Sequence, residues 1–275
     1  MEIGAVLDHL QLCSPQPEEM ARFYAQAYAM CVTAEAGGTW LCEGPGRAVA
    51  FAPGKTHSLG YAAFRFADAR GWEKLRAQVP ADALCELPGG KLLDAPAFAL
   101  RDPEGNLLVF LHRAAPDVPA TGAVPEAYCQ HFGLRTADPE RLVTFYEQLG
   151  LIVSDRVKDS EGVLRACFMR SDRLHHVLAL FRAPEGRFDH QSFEAPDWTA
   201  LRDWADHMGR EKLPLVWGVG RHGPGNDVFF MIADPDGNLA EISAEIEVCA
   251  GDRPAGLWPH EQRTLNQWGA AIMRS

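Results

Sequence analysis

At 275 residues and 47% hydrophobic composition, the chain is long enough to bury a full core as one large domain or two compact ones. A net charge of −11 and a pI near 5.4, with Lys and Arg scattered rather than clustered, argue against nucleic acid or an anionic membrane as the main partner and leave a small molecule. The seven cysteines are an odd number without a C-x-x-C pair and read as reduced thiols; with no signal-peptide pattern and no run long enough to cross a bilayer, the expected location is the cytoplasm.

In chain order the first pattern is His9–Tyr24, HLQLCSPQPEEMARFY: a strand, a Pro-Glu helix start and a terminal Phe-Tyr. It returns at His131–Tyr146, HFGLRTADPERLVTFY, at an offset of 122 residues. Asp102–Leu107 (DPEGNL) and Asp234–Leu239 (DPDGNL) repeat at an offset of 132, so the second copy holds about ten more residues, a size natural for loop insertions. The chain reads as an internal duplication: a module over 1–113, a linker over 114–126 rich in Pro and Ala, a second module over 127–250 and a tail over 251–275.

Within the second module, Cys129–Thr136 alternates as a strand, and Asp138 with Pro139 opens a helix. Val163–Met169 and His176–Phe181 read as a strand pair, followed by a strand at His190–Glu194 and a helix over Trp198–Met208. A closing hairpin of Val228–Ala233 and Leu239–Ala244 turns on Asp-Pro-Asp-Gly-Asn. Each module is thus predicted to be built from βαβββ units.

Strand parity then selects candidate ligands, because alternate side chains point to opposite faces. His131 shares a face with Gly133 and Arg135, His190 with Ser192 and Glu194, and Glu241 with Ser243, each opposite apolar neighbours. If those polar faces converge, the sheet curls around two imidazoles and one carboxylate, the set that leaves coordination positions open on non-haem Fe(II). A lone strand histidine is commonly hydrogen-bonded in a core; agreement among three distant segments carries the metal reading.

The segments LHHVLAL (Leu174–Leu180), FDHQSFE (Phe188–Glu194) and GRHGPGNDVFFMIADPDGNLAEIS (Gly220–Ser243) resemble the vicinal oxygen chelate superfamily, and within it the type I extradiol ring-cleaving dioxygenases. The resemblance implies an α+β fold of two tandem modules, each of paired βαβββ units forming a curled mixed sheet around a cavity. It implies a catalytic second module with His131, His190 and Glu241 as ligands to Fe(II), or Mn(II). In the first module the matching positions are His9, about Tyr61, and Val109, so that module is expected to hold no metal. His176 matches the family's acid–base histidine, with adjacent His175 as the alternative, and His222 matches the histidine that bonds the substrate's oxygen. Met231 stands where the family has a substrate-binding tyrosine, Gly133 where some relatives have asparagine, and Arg221 precedes His222; Met231, Arg221 and His175 are the expected substrate contacts. The tail, with WPHEQRTLNQWG, is similar to a segment that closes over the site in some of these enzymes.

The implied activity is extradiol cleavage of a catechol-type ring with O2, in a homo-oligomer by analogy with the family. Two alternatives stay open: a glyoxalase-like isomerase or lyase, which Met231 favours, and a metal-free binding protein of the drug-resistance type. His207, late in a helix, needs no catalytic role, and Gly218–Gly225 carries no phosphate-cradling pattern.

Overall fold

The computed structural model describes residues 2–115, 122 and 124–273; of the expected linker, residues 116–121 and 123 lie outside the described residues. The N-terminal half runs β1 (Val6–Ser14), α1 (Pro17–Tyr28), β2 (Cys31–Ala34), β3 (Trp40–Gly44) and β4 (Arg47–Pro53), then β5 (Ser58–Phe66), α2 (Ala69–Gln78), β6 (Leu84–Cys85), β7 (Ala97–Arg101) and β8 (Leu107–His112). The C-terminal half repeats the order. Its first unit is β9 (Tyr128–Thr136), α3 (Pro139–Gln148), β10 (Ile152–Lys158), β11 (Leu164–Arg170) and β12 (Leu178–Arg182). Its second is β13 (Arg187–Ala195), α4 (Trp198–Arg210), β14 (Trp217–Arg221), β15 (Val228–Ala233) and β16 (Leu239–Ala244). The tail adds β17 (Gly256–Pro259) and α5 (Gln262–Leu265).

Among the described residues these strands form an eight-stranded sheet, β2-β3-β4-β1-β5-β8-β7-β6, and a nine-stranded one, β14-β15-β16-β13-β9-β12-β11-β10-β17. In every unit the first strand pairs in parallel with the fourth, and the first strands of the two units pair antiparallel at the centre. This is the α+β arrangement of paired βαβββ units expected from the sequence. The N-caps are local: Asp138 accepts from Arg141 N at 3.1 Å and Asp197 from Ala200 N at 2.9 Å, each stabilising its helix by about 1 kcal/mol. Asp234 ties its hairpin turn by accepting from Asn238 N at 2.8 Å, with Gly237 at φ 79°, a conformation that side chains resist.

The two halves share one core. Tyr28, at the end of α1, packs its ring against Phe193 (5.0 Å between centroids) and Trp204 (6.1 Å) of the C-terminal half. Arg47 crosses the same boundary to donate to Ala127 O at 3.2 Å. The N-terminal half therefore buttresses the apolar side of β13, opposite the face that carries His190.

Several local expectations change. β10 and β14 are strands with no counterpart in the sequence reading, because Asp155 in the former and two glycines in the latter interrupt their alternation. β12 begins at Leu178, so His175 and His176 lie in the connection before it rather than at the head of a strand. The tail is a ninth strand, β17 pairing parallel with β10.

Candidate metal centre

β16, β13 and β9 are adjacent, and their register assembles the site. Ser192 on β13 is paired with His131 on one side and with Glu241 on the other. His190 stands two residues along β13, opposite Gly133. A Cβ on Gly133 would run into the His190 ring, so glycine here makes room for the imidazole. His131 Nε2 lies 3.2 Å from His190 Nε2 and 3.1 Å from Glu241 Oε2, and His190 Nε2 lies 3.9 Å from that oxygen. All three residues are buried.

The hydrogen positions follow from the far side of each ring. His131 Nδ1 contacts the Gln130 side-chain oxygen, and His190 Nδ1 lies 2.7 Å from Asp189 Oδ1. Both partners accept, so both rings carry their proton on Nδ1 and present a lone pair at Nε2. Two lone-pair nitrogens and a carboxylate oxygen without a hydrogen-bond donor then face one point. Burial holds the His131 imidazole below its ordinary value although Glu241 pulls the other way. Burial opposes ionisation of Glu241, yet His222, on its other oxygen, holds its carboxyl well below the usual range. Three converging electron pairs in a buried site repel unless a cation sits among them, so the donor set fits a divalent metal.

Gln130 and Asp189 were not singled out in the sequence, where parity sends residue i−1 to the opposite face. The structure explains the exception: the ladder slips at both positions, and each bulged residue turns its side chain back to the histidine that follows. Asp8 does the same before His9 in the first module, accepting from His9 Nδ1 at 2.6 Å. A polar acceptor directly before each histidine was the available signal.

The ligands open onto a cavity of about 360 Å³ lined also by His176, His222, Phe168, Phe181, Trp217, Pro224, Thr264 and Leu265. A larger cleft of about 1060 Å³ between the halves shares only His176 with it, and the ligand set faces the smaller one. The His176 ring lies over His131, 4.3 Å between centroids, and burial pushes it well below its ordinary pKa. His222 is clamped: its Nδ1 is 2.5 Å from Leu265 O, its ring stacks on Phe229 at 3.7 Å, and its Nε2 is 3.3 Å from Glu241 Oε1. Burial lowers its pKa, but the Glu241 and Asp227 carboxylates outweigh that and raise it. Asp227 is a further residue the sequence reading missed, fully buried beside His222 and Glu241 with both side-chain oxygens lacking hydrogen-bond partners.

The structure places the three expected substrate contacts away from the cavity lining. Arg221 turns outward, pairing with Glu245 at 2.7 Å and lying over Trp268. Met231 is paired across the sheet with Glu241 but packs with Trp217, Phe229 and Leu265 rather than lining the cavity. His175 sits behind His176, its Nε2 3.0 Å from Asp155 Oδ2. From the tail, Thr264 and Leu265 take their place in the wall.

Residues 129–242 match the model of the Glyoxalase/Bleomycin resistance protein/Dioxygenase superfamily. Metapyrocatechase 2 of Cupriavidus necator is 34% identical over 145 residues, 52% of this chain and 44% of that protein. Metapyrocatechase of Pseudomonas sp. (strain CF600) is 32% identical over 111 residues, 39% of this chain and 34% of the relative. The chain thus aligns with less than half the length of these curated relatives. Among solved structures, homoprotocatechuate 2,3-dioxygenase from Brevibacterium fuscum, in complex with 3,4-dihydroxyphenylacetate, superposes with a TM-score of 0.82 at 22% identity, covering 98% of this chain and 90% of that one. The Mn(II)-bound glyoxalase from Novosphingobium aromaticivorans gives 0.79 at 21% identity, covering 98% and 92%. The segment that carries His131, His190 and Glu241 lies within the stretch that matches this superfamily's model, and the whole chain has the fold of these dioxygenase and glyoxalase structures.

Proposed function

We propose that this protein cleaves the ring of a catechol-type substrate with O2 in the extradiol manner, at a single Fe(II) held by His131, His190 and Glu241. The observation that carries the reading is the convergence of three lone-pair atoms from three adjacent strands, beside two further histidines, in a cavity otherwise walled mainly by apolar side chains. The metapyrocatechase relatives support it. When bound, the metal supplies open positions for a diol and O2 and a path for electrons between them.

The chain's own residues do the rest. Phe168, Phe181, Trp217, Pro224 and Leu265 flank an aromatic ring and keep bulk water from it. His176, neutral through burial, takes a proton from a diol hydroxyl and returns it later in the cycle. His222, held rigid by Leu265 and Phe229 and kept basic by Glu241 and Asp227, donates to oxygen where negative charge builds. The free cysteines agree with a reducing compartment, which supports the cytoplasm.

A glyoxalase-like reading is favoured by one feature, the apolar Met231 directly opposite Glu241, and Mn(II) suits the same ligands. Anaerobic loading with Fe(II), then a panel of catechols with oxygen consumption and yellow ring-opened product as readouts, separates the two. Stoichiometric oxygen uptake with at least one diol is expected; protein that keeps its iron and consumes no oxygen with any diol would overturn the dioxygenase reading.

A further inference from the structure

Away from the ligand atoms, the cavity walls are aromatic and aliphatic. Phe168 on β11 and Phe181 on β12 stand diagonally across the ladder and meet edge to face, 6.1 Å between centroids. Each also packs on a histidine of the site, Phe168 on His176 at 5.1 Å and Phe181 on His190 at 6.0 Å. Trp217 of β14 and Thr264 and Leu265 of the tail make up the other side. A ring substituent of a diol held at the ligand set has these walls as its surroundings.

The polar atoms of those walls are already engaged. Trp217 Nε1 donates to Ala270 O at 3.0 Å, and Thr264 Oγ1 donates to Pro259 O at 2.6 Å. Among the described residues no Lys or Arg lines the cavity. The arginines of the adjoining segments face elsewhere. Arg221, directly before His222, is held by Glu245 at 2.7 Å and by Asn226 O at 2.6 Å. Arg253, at the root of the tail, is held by Asp155 at 3.1 Å and by Glu247 at 2.6 Å, and Arg263, beside Thr264, is exposed. The acidic groups, in contrast, are close: Glu241 lines the cavity and Asp227 is buried beside it.

An anionic substituent entering this space loses its hydration and meets no cation, whereas an uncharged one gains from leaving water. We infer that the cavity selects diols whose substituents carry no charge, with Phe168, Phe181 and Leu265 as the specificity-determining wall. The inference rests on the proposed reading that a catechol-type diol binds at the ligand set, and it names the charge class of that diol. The tail has a part in the selection, because it brings an aliphatic side chain, Leu265, to a wall where a lysine or arginine would pair with an acid.

The test titrates diols anaerobically into the full-length, Zn(II)-loaded protein by calorimetry: 4-ethylcatechol, 3,4-dihydroxyphenylacetate and the methyl ester of that acid. The ester is larger than the acid but uncharged, so it separates charge from size. 4-Ethylcatechol and the ester are expected to bind, and the acid to bind roughly 100-fold more weakly than the ester. Acid and ester binding alike, whether tightly or weakly, or no binding by 4-ethylcatechol, overturns the inference. Leu265→Lys, which sets an ammonium in the wall, is expected to bring the acid to within about tenfold of the ester; an unchanged gap in a variant with the wild-type circular dichroism removes Leu265 from the selecting wall. Oxygen uptake by the Fe(II) protein keeps the two readings apart. The binding preference without uptake would strike the dioxygenase reading and leave this inference standing, while uptake that is fastest with the acid would do the reverse.

Discussion

His9 and His131 occupy the same place in the two halves, the first strand of a βαβββ pair, yet their second ring nitrogens meet opposite situations. Each follows a bulged acceptor that fixes its Nδ1 proton. His9 Nε2 then meets the Tyr61 hydroxyl at 3.0 Å, while Val109, at the position matching Glu241, packs with Tyr61 in an apolar cluster. The hydroxyl can donate, and the buried lone pair is satisfied by protein alone. His131 Nε2 instead meets a lone pair and a carboxylate. The tertiary setting of one nitrogen decides whether this fold makes a core or a metal centre.

That contrast can be broken from either side. The largest effect is expected for Glu241→Ala, which should abolish metal retention by elemental analysis while the chain still folds, because β16 is held by its backbone ladders to β13 and β15. A variant that keeps stoichiometric metal would refute the ligand assignment. Next is Gly133→Ala, whose methyl group must displace the His190 ring; metal affinity should fall by roughly 10- to 100-fold in a competition titration, and unchanged affinity would mean the ring is free to move.

On the N-terminal side, Tyr61→Phe leaves His9 Nε2 without its donor. Denaturant unfolding should show a loss of about 1–3 kcal/mol with metal content unchanged; a loss of metal instead would mean that this half takes part in the site. The smallest effect concerns Glu194, whose carboxyl accepts from Ser243 Oγ and Ile246 N, and which burial pushes from 4.5 up to about 8, with Asp227 and Glu241 adding to it. The folded chain keeps a proton that the unfolded chain releases above pH 4.5, so stability should decline as pH rises from there to about 8 and then level off. Glu194→Gln should flatten that decline by a few degrees in melting temperature, and an identical pH profile would show that Glu194 is ionised in the folded protein.

Much of the fold was legible because its signals are local. The repeat of strand, Pro-Glu helix start and Phe-Tyr, and the two Asp-Pro-x-Gly-Asn turns, depend on neighbours a few residues apart, and alternation placed His131, His190 and Glu241 on the polar faces of their strands. What stayed hidden depends on register and docking. β10 does not alternate because Asp155 is turned inward to receive the tail, and Gln130 and Asp189 reach their histidines only through bulges.

The sequence by itself determined the duplicated βαβββ pattern, the strand faces and the residue types available for chemistry, since backbone periodicity and turn chemistry are written within a few residues. Only the tertiary structure decided which atoms meet: that Ser192 aligns His131 with Glu241, that Gly133 yields space to His190, that His175 backs His176 instead of facing the cavity, and that the tail supplies part of the wall. Those meetings join residues far apart in the chain, and their outcome turns on the pairing of buried lone pairs and protons, a quantity that no local stretch of chain contains.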